Sequence, residues 1–295
     1  MDEWAKAQGC AVLEPERIKL VSGALLAGHT VRLASDWPVQ GTPPAGVALA
    51  GAGEATDFAL TLTPGKTAPE ALHLVPRIGV LGVGCKRGTT ADQLEAAFAA
   101  FCAAHGLAPA GIRGAASIDL KQDEPGLAAF CAAHGWPITF YTARQLQAVE
   151  GHFTPSAFVR SVTGVDNVCE RAALLDAEKL IVQKTARDGV TVAVAAEHWE
   201  VTFGEVIVVG IGPGSYEDMT IRADRALQSC DAIVGYGVYV DLVKERYPDK
   251  AFYETPMTQE AKRCALALEL ARAGKTAAMV CSGDSGIYGM AALVY

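Results

Sequence analysis

Two glycine-rich turns carry the residue types best suited to holding a small ligand. The first ends the apolar run Glu205-Val-Ile-Val-Val-Gly-Ile-Gly-Pro-Gly214. The second follows Ala277-Ala-Met-Val280 and reads Cys281-Ser-Gly-Asp-Ser-Gly-Ile-Tyr-Gly-Met290. Turns of this kind at strand carboxyl ends line the crevice of an open α/β sheet, where ligands bind. The spacing argues against two common ligands. A dinucleotide fingerprint requires G-x-G-x-x-G; Gly210 and Gly212 fit, but Ser215 takes the third place and Pro213 sits in the turn. No Walker lysine-serine pair follows, which disfavours a triphosphate cradle.

A second constellation lies upstream. Ile78-Gly-Val-Leu-Gly-Val83 has strand character and empties into Gly84-Cys-Lys-Arg-Gly-Thr-Thr90. Thr90 and Gln93 have capping-box spacing, which marks a helix start. Backbone N–H groups at that start, with Lys86 and Arg87 on the loop, suit a carboxylate or phosphate, and Gly84 and Gly88 allow close backbone approach. The bland reading is a surface loop with two solvated cations. Ser117-Ile-Asp-Leu-Lys-Gln-Asp-Glu-Pro-Gly126 then places Lys121, Asp123 and Glu124 at another strand end. A carboxylate there can activate water while the lysine stabilises a developing oxyanion. Asp123 also suits the simpler role of N-cap, with Pro125 in the first turn. Cys85 is a further candidate, a nucleophile at a helix N-terminus, with no histidine near it in sequence.

An α/β scaffold in three blocks would position these residues. Residues 1–76 hold a helix-like stretch from Pro15 to Ala27, a strand over Gly28–Leu33, a turn-rich region at Trp37–Pro44 and an alternating, half-buried strand over Asp57–Leu62. Residues 77–196 alternate helix and strand, which predicts βαβ units in a largely parallel sheet. Residues 197–204 read as a linker, and residues 205–295 form the third block with three helix-like stretches between the glycine turns. Ala99-Ala-Phe-Cys-Ala-Ala-His-Gly106 recurs as Ala128-Ala-Phe-Cys-Ala-Ala-His-Gly135. The repeated C-x-x-H offers zinc ligands. A buried small cysteine and a histidine complementing the helix dipole are the preferred account, so no metal is expected.

The motifs G-I-G-P-G-S, Met219-Thr-Ile-Arg-Ala223, Val234-Gly-Tyr236, Tyr253-Glu-Thr-Pro-Met257 and S-G-D-S-G-I-Y-G-M resemble the tetrapyrrole methyltransferases that use S-adenosylmethionine. Their wording is most similar to the precorrin-3B C(17)-methyltransferases of cobalamin biosynthesis. By that resemblance Pro213, Ser282, Gly283, Asp284 and Ile287 surround the cofactor, with a helix N-cap as the simpler role for Asp284. The motifs G-V-G-C-K-R-G-T-T and D-L-K-Q-D-E-P-G-L resemble the C-terminal domain of cobalt-precorrin-5A hydrolase. Glu14-Pro-Glu-Arg-Ile-Lys19 and Arg32-Leu-Ala-Ser-Asp36 resemble that family's middle domain. The family opens a δ-lactone on the corrinoid ring and releases acetaldehyde. Hydrolysis of an activated lactone needs only positioned water, which favours water activated by Asp123 or Glu124 over Cys85, with Lys86, Arg87 and Lys121 binding substrate carboxylates. The fold class expected is therefore α/β: hydrolase-like βαβ domains followed by a truncated tetrapyrrole-methyltransferase domain. The apolar, uncapped run Ala291-Ala-Leu-Val-Tyr295 reads as a helix cut short, and the hydrolase family's first domain has no counterpart before Met1. Both departures put activity of the chain alone in doubt.

Composition bounds the partners. The chain has 295 residues, 25 Lys and Arg against 33 Asp and Glu, and a formal charge of −8. An acidic balance argues against nucleic acid and requires a local basic patch for a polyanionic substrate. No apolar run reaches the roughly 18 residues of a membrane span, and no signal peptide opens the chain. The eight cysteines are scattered and fit reduced thiols in the cytoplasm. The expected partner is a tetrapyrrole, with or without cobalt, and a homodimer of the full-length protein is left open. Two rivals stand beside this expectation: a non-catalytic corrinoid-binding or hand-over module, and a nicotinamide-linked oxidoreductase, which Pro213 and Ser215 disfavour.

Overall fold

The structure, a computed structural model, describes residues 2–51, 53–286 and 290–291. The first block contains α1 (Asp2–Ala7), β1 (Cys10–Val12), α2 (Ile18–Leu26), β2 (Val31–Ser35), β3 (Val39–Gln40), β4 (Val47–Leu49), β5 (Phe58–Leu60) and β6 (Leu72–Pro76). The second contains β7 (Gly79–Cys85), α3 (Ala91–His105), β8 (Ile112–Ile118), α4 (Pro125–Ala133) and β9 (Ile138–Tyr141). It continues through α5 (Ala143–Gln147), α6 (Ala157–Thr163), α7 (Cys169–Leu175), β10 (Lys179–Arg187) and β11 (Val190–Ala196). The third contains β12 (Val201–Thr202), β13 (Glu205–Gly210), α8 (Ile221–Ser229), β14 (Ala232–Tyr236), α9 (Gly237–Lys244), β15 (Ala251–Thr255), α10 (Glu260–Arg272) and β16 (Thr276–Cys281). The chain divides into two units, residues 1–38 with 48–199, and residues 39–47 with 200–295.

The first unit holds two five-stranded sheets. One runs β1-β6-β5-β2-β4, with β2, β5 and β6 parallel and β1 antiparallel on the edge. β5 is buried on both faces, unlike the half-buried strand expected over Asp57–Leu62, because it is paired on both sides in a parallel arrangement. Glu14 grips this sheet. Its Oε2 accepts the His73 backbone N–H at 2.9 Å, and its Oε1 lies 3.0 Å from His73 Nδ1.

The second sheet runs β10-β11-β7-β8-β9. β7, β8 and β9 are parallel, whereas β11 is antiparallel to both β7 and β10. The sheet is thus mixed rather than largely parallel. Asp188 (φ 51°) and Gly189 (φ 84°) make the two-residue turn between Arg187 and Val190, where positive φ at both positions matches the twist of a hairpin. Leu62 and Val75 join Leu81, Val83, Phe98, Phe101, Phe130 and Val194 in one buried cluster. At Gly82 a Cβ would lie 1.8 Å from the Cys169 carbonyl oxygen, so α7 rests directly on the β7 backbone. The repeated octapeptide forms the ends of α3 and α4, with Cys102 and Cys131 buried. Each histidine has its own partner: His105 Nε2 lies 3.1 Å from Thr185 Oγ1, and His134 Nε2 lies 2.7 Å from Glu95.

The second unit is a parallel sheet of order β13-β16-β14-β15. Successive residues of β16 face opposite sides, as a pleated strand requires. Ala278 and Val280 pack with Leu227 of α8 and Val240 and Val243 of α9, while Ala277, Met279 and Cys281 pack with Cys264, Ala267 and Leu270 of α10. β12 lies within the segment read as a linker and pairs in parallel with β3; Val201 and Phe203 are buried, unlike a solvated linker.

Candidate functional site

Within the first unit, the carboxyl ends of β7 and β8 gather the hydrolase-like residues. β7 ends at Cys85, and the loop to α3 is closed by local bonds. Lys86 N–H donates to the Gly189 carbonyl at 3.2 Å, and Thr89 Oγ1 donates to the Lys86 carbonyl at 2.8 Å. Thr90 and Gln93 form the expected capping box. Glu124 locks the loop from the opposite side: Oε2 accepts the Gly88 N–H at 2.9 Å, and Oε1 accepts from Lys121 Nζ at 2.9 Å. Gly88 has φ +75°, and at Gly126 a Cβ would lie 2.0 Å from the Thr89 carbonyl oxygen. The start of α4 can approach the loop this closely only with glycine there.

Asp123 and Glu124, adjacent in sequence, take different positions. Glu124 is only 7% exposed, and the Gly88 N–H and the Lys121 ammonium hold its carboxyl below the usual carboxylate range, with Arg87 adding a smaller pull. Asp123 is exposed. The N-cap position of α4 belongs to Glu124, not Asp123, because Pro125 is the first helical residue. Glu124 gives no side-chain cap to its own helix; both oxygens are engaged by Gly88 and Lys121 instead. Cys85 is half-buried. Burial pushes its thiol above the ordinary value, against a lowering by Lys121, the opposite direction to the activation of a nucleophilic thiol. Lys86 lays its stem over Gly189, where a Cβ would lie 2.6 Å from Lys86 Cε. The structure thus brings Cys85, Gly88, Lys121 and Glu124 together, leaves Arg87 and Asp123 exposed on the same segments and turns Lys86 toward the β10–β11 hairpin.

Glu170 escaped the sequence reading. It is fully buried and accepts from the backbone N–H groups of Thr154 at 2.8 Å and Lys184 at 2.7 Å, and from the Asn167 side chain. The N–H of Lys184 falls where the β10–β11 register shifts. Asn167 Oδ1 returns a bond by accepting the Glu170 N–H at 2.9 Å. Asn-x-x-Glu is a capping-box spacing and was the available signal.

In the second unit the two glycine turns are paired with each other. Gly212 N–H donates to the Gly283 carbonyl at 3.3 Å, and Gly283 N–H donates to the Gly212 carbonyl at 2.9 Å. A Cβ at Gly210 would lie 2.4 Å from the Gly283 oxygen. Pro213, Ser282, Gly283 and Asp284 are exposed on this double turn. Asp284 Oδ1 accepts the Gly286 N–H at 2.6 Å. Ile287 lies outside the described residues. Among the described residues, no group of three or more His, Cys, Asp or Glu is placed to hold a metal ion, and no helix is long and apolar enough to cross a membrane.

A mixed α/β unit with a locked loop is followed by a doubly wound unit with paired glycine turns, so two α/β units are joined on one chain. Residues 79–195 match the family described as Cobalamin synthesis G C-terminus, and residues 205–295 match the Tetrapyrrole (Corrin/Porphyrin) Methylases. Protein CobE of Sinorhizobium sp is 33% identical over 158 residues, which cover 52% of this chain and 89% of CobE. The chain belongs to the Cobalamin synthesis G C-terminus family, and the segment fused behind it is similar to the tetrapyrrole methylases. Cobalt-precorrin-5A hydrolase of Salmonella typhimurium is 35% identical over 126 residues, covering 42% of this chain and 36% of that enzyme. The probable cobalt-factor III C(17)-methyltransferase of the same organism is 52% identical over 87 residues, covering 30% of this chain and 36% of that protein. The chain therefore spans about a third of the length of each of these two relatives.

Proposed function

We propose that the chain serves corrin-ring construction twice: residues 77–196 open the δ-lactone of a cobalt-precorrin with release of acetaldehyde, and residues 205–295 contribute the S-adenosylmethionine site of a C(17)-methyltransferase. The observation that carries this reading is the order of two matches on one chain, one to a family that includes a hydrolase and one to methylases, both with relatives in cobalamin biosynthesis. In the hydrolytic step Asp123 is the water-activating carboxylate, because its side chain is exposed while both oxygens of Glu124 are engaged. Asp123 takes a proton from water as the oxygen attacks the lactone carbonyl carbon. The ring C–O bond then breaks, and its oxygen leaves as an alcohol after protonation. That alcohol gives up its proton and becomes the carbonyl of acetaldehyde as the C–C bond to the macrocycle breaks, and the macrocycle carbon keeps the electron pair and takes up a proton. Glu124 and Lys121 fix the loop, and Arg87 and Lys121 hold substrate carboxylates. Gly84, Cys85, Lys86 and Gly88 form the wall against which the substrate rests.

The double glycine turn fits a cofactor with a narrow, polar edge, since the space at Gly283 is open and Pro213, Ser282 and Asp284 beside it are exposed. Pro213, Ser282, Gly283 and Asp284 would hold S-adenosylmethionine, with Ile287 beside them. Bound there, the cofactor supplies an electrophilic methyl group, and the chain's task is positioning. The free state of the cysteines fits a cytoplasmic location.

The decisive experiment supplies cobalt-precorrin-5A to the chain and measures acetaldehyde. Release that disappears with Asp123→Asn supports the hydrolase reading. Corrinoid binding without any acetaldehyde favours a hand-over module instead.

A further inference from the structure

Among the described residues, Arg263 is a buried cation with no counter-ion. It lies in the first turn of α10 and is 4% exposed. Its Nε donates to Thr255 Oγ1 at 2.8 Å, one terminal nitrogen donates to the Pro256 carbonyl at 3.2 Å, and the other reaches Met290 Sδ at 3.5 Å. The partners are a hydroxyl, a carbonyl and a thioether. Among the described residues no carboxylate pairs with it, and the sequence at 287–289 and 292–295 contains neither Asp nor Glu.

The location makes the missing anion more telling. Burying a charge without an opposite one is strongly unfavourable. A helix N-terminus adds the positive end of the macrodipole, so a cation in the first turn of α10 sits where an anion is favoured. One turn earlier Gln259, at the N-cap, makes no side-chain cap, and its Oε1 is buried without a partner. Thr255 ends β15, and Cys281 ends β16 and leads into the Ser282–Asp284 turn. Burial raises the Cys281 thiol, while Arg263 and Asp284 act on it in opposite directions, which sets Arg263 electrostatically close to the double turn.

We propose that Arg263 receives a carboxylate of the ligand held at the paired glycine turns. This rests on the methylase reading of the second unit and adds to it a named anchor. The carboxylate takes the place of the Met290 thioether, the weakest of the three acceptors, and forms a charge-assisted bond with the guanidinium. Two ligands present that group: the amino-acid end of a methyl donor, and the acidic side chains of a tetrapyrrole.

The test compares the chain with Arg263→Met and Arg263→Lys by thermal melting and calorimetric titration. The probes are malonate, S-adenosylhomocysteine, 5′-methylthioadenosine (which lacks the carboxylate), an octacarboxylate porphyrin and its octamethyl ester. Without ligand, Arg263→Met is expected to melt at or above the unsubstituted chain, because an unpaired charge has been removed. A carboxylate-bearing probe should bind the unsubstituted chain and Arg263→Lys, and lose about tenfold or more in affinity with Arg263→Met. Its carboxylate-free counterpart should not distinguish the three proteins. Loss with S-adenosylhomocysteine assigns the donor's carboxylate, and loss with the porphyrin acid assigns the macrocycle's. If S-adenosylhomocysteine fails to bind but malonate or the porphyrin acid binds through Arg263, the methyl-donor reading falls and the carboxylate receptor stands. An Arg263→Met chain that melts well below the unsubstituted one overturns the proposal, as does a carboxylate affinity that ignores the substitution or is absent throughout.

Discussion

At the scale of single residues, Glu124 commits both carboxylate oxygens to the 84–90 loop and helix α4, and that commitment has a pH signature. Its carboxyl is held low by the Gly88 N–H and by Lys121. A depressed native value lends stability above the unfolded carboxylate value of about 4.3, and that stability is lost as pH falls through the native one. In acid titrations followed by circular dichroism, the unsubstituted chain should therefore lose melting temperature more steeply below about pH 4.3 than Glu124→Gln does. Equal slopes would remove Glu124 from the lock. Asp123→Asn should behave oppositely: acetaldehyde release falls about 10²-fold or more, while stability stays within roughly 0.5 kcal/mol. A large loss of stability in that variant would mark Asp123 as structural. The sequence identified this acidic pair at a strand end but not which member turns inward. That choice depends on Pro125 opening α4 and on the Gly88 N–H across the loop, a contact between residues 36 apart.

At the scale of elements, close backbone approach governs both candidate sites. Gly126→Ala would drive a methyl group into the Thr89 carbonyl and should cost about 1–3 kcal/mol in urea unfolding. An unchanged midpoint would mean that α4 can back away from the loop freely. Gly210→Ala meets the Gly283 oxygen in the same way and should abolish S-adenosylhomocysteine binding measured by calorimetry. The helix start at Thr90, the run ending at Val280 and the three helices between the glycine turns were legible because caps and apolar periodicity are local signals. The antiparallel hairpin of β10 and β11 was also written locally, in Asp188-Gly189, but alternating helix and strand upstream suggested a parallel sheet. The pairing of Gly212 with Gly283 is non-local, and no propensity encodes it.

At the scale of the whole molecule, the formal charge of −8 means that an acidic macrocycle must find cations locally. In the reading proposed above, Arg87 and Lys121 meet that need in the first unit, and Arg263 in the second. Substrate affinity at the first site should weaken as salt rises from low to physiological ionic strength, because the charge of the exposed Arg87 is screened over about a Debye length. Salt-independent affinity would point to apolar contacts instead. The two proposed reactions use separate residues, so Gly210→Ala should leave acetaldehyde release at its original rate. The topology of the second unit also has a consequence for how the protein is made. β16 lies between β13 and β14, so β13 has no neighbour in the sheet until the last of the four strands has been synthesised. Until then its edge is an open template for other chains, and closing so long a loop slows folding. The double glycine turn comes into being in that same late event, which makes ligand capture by this unit a sign that β16 has docked against β13.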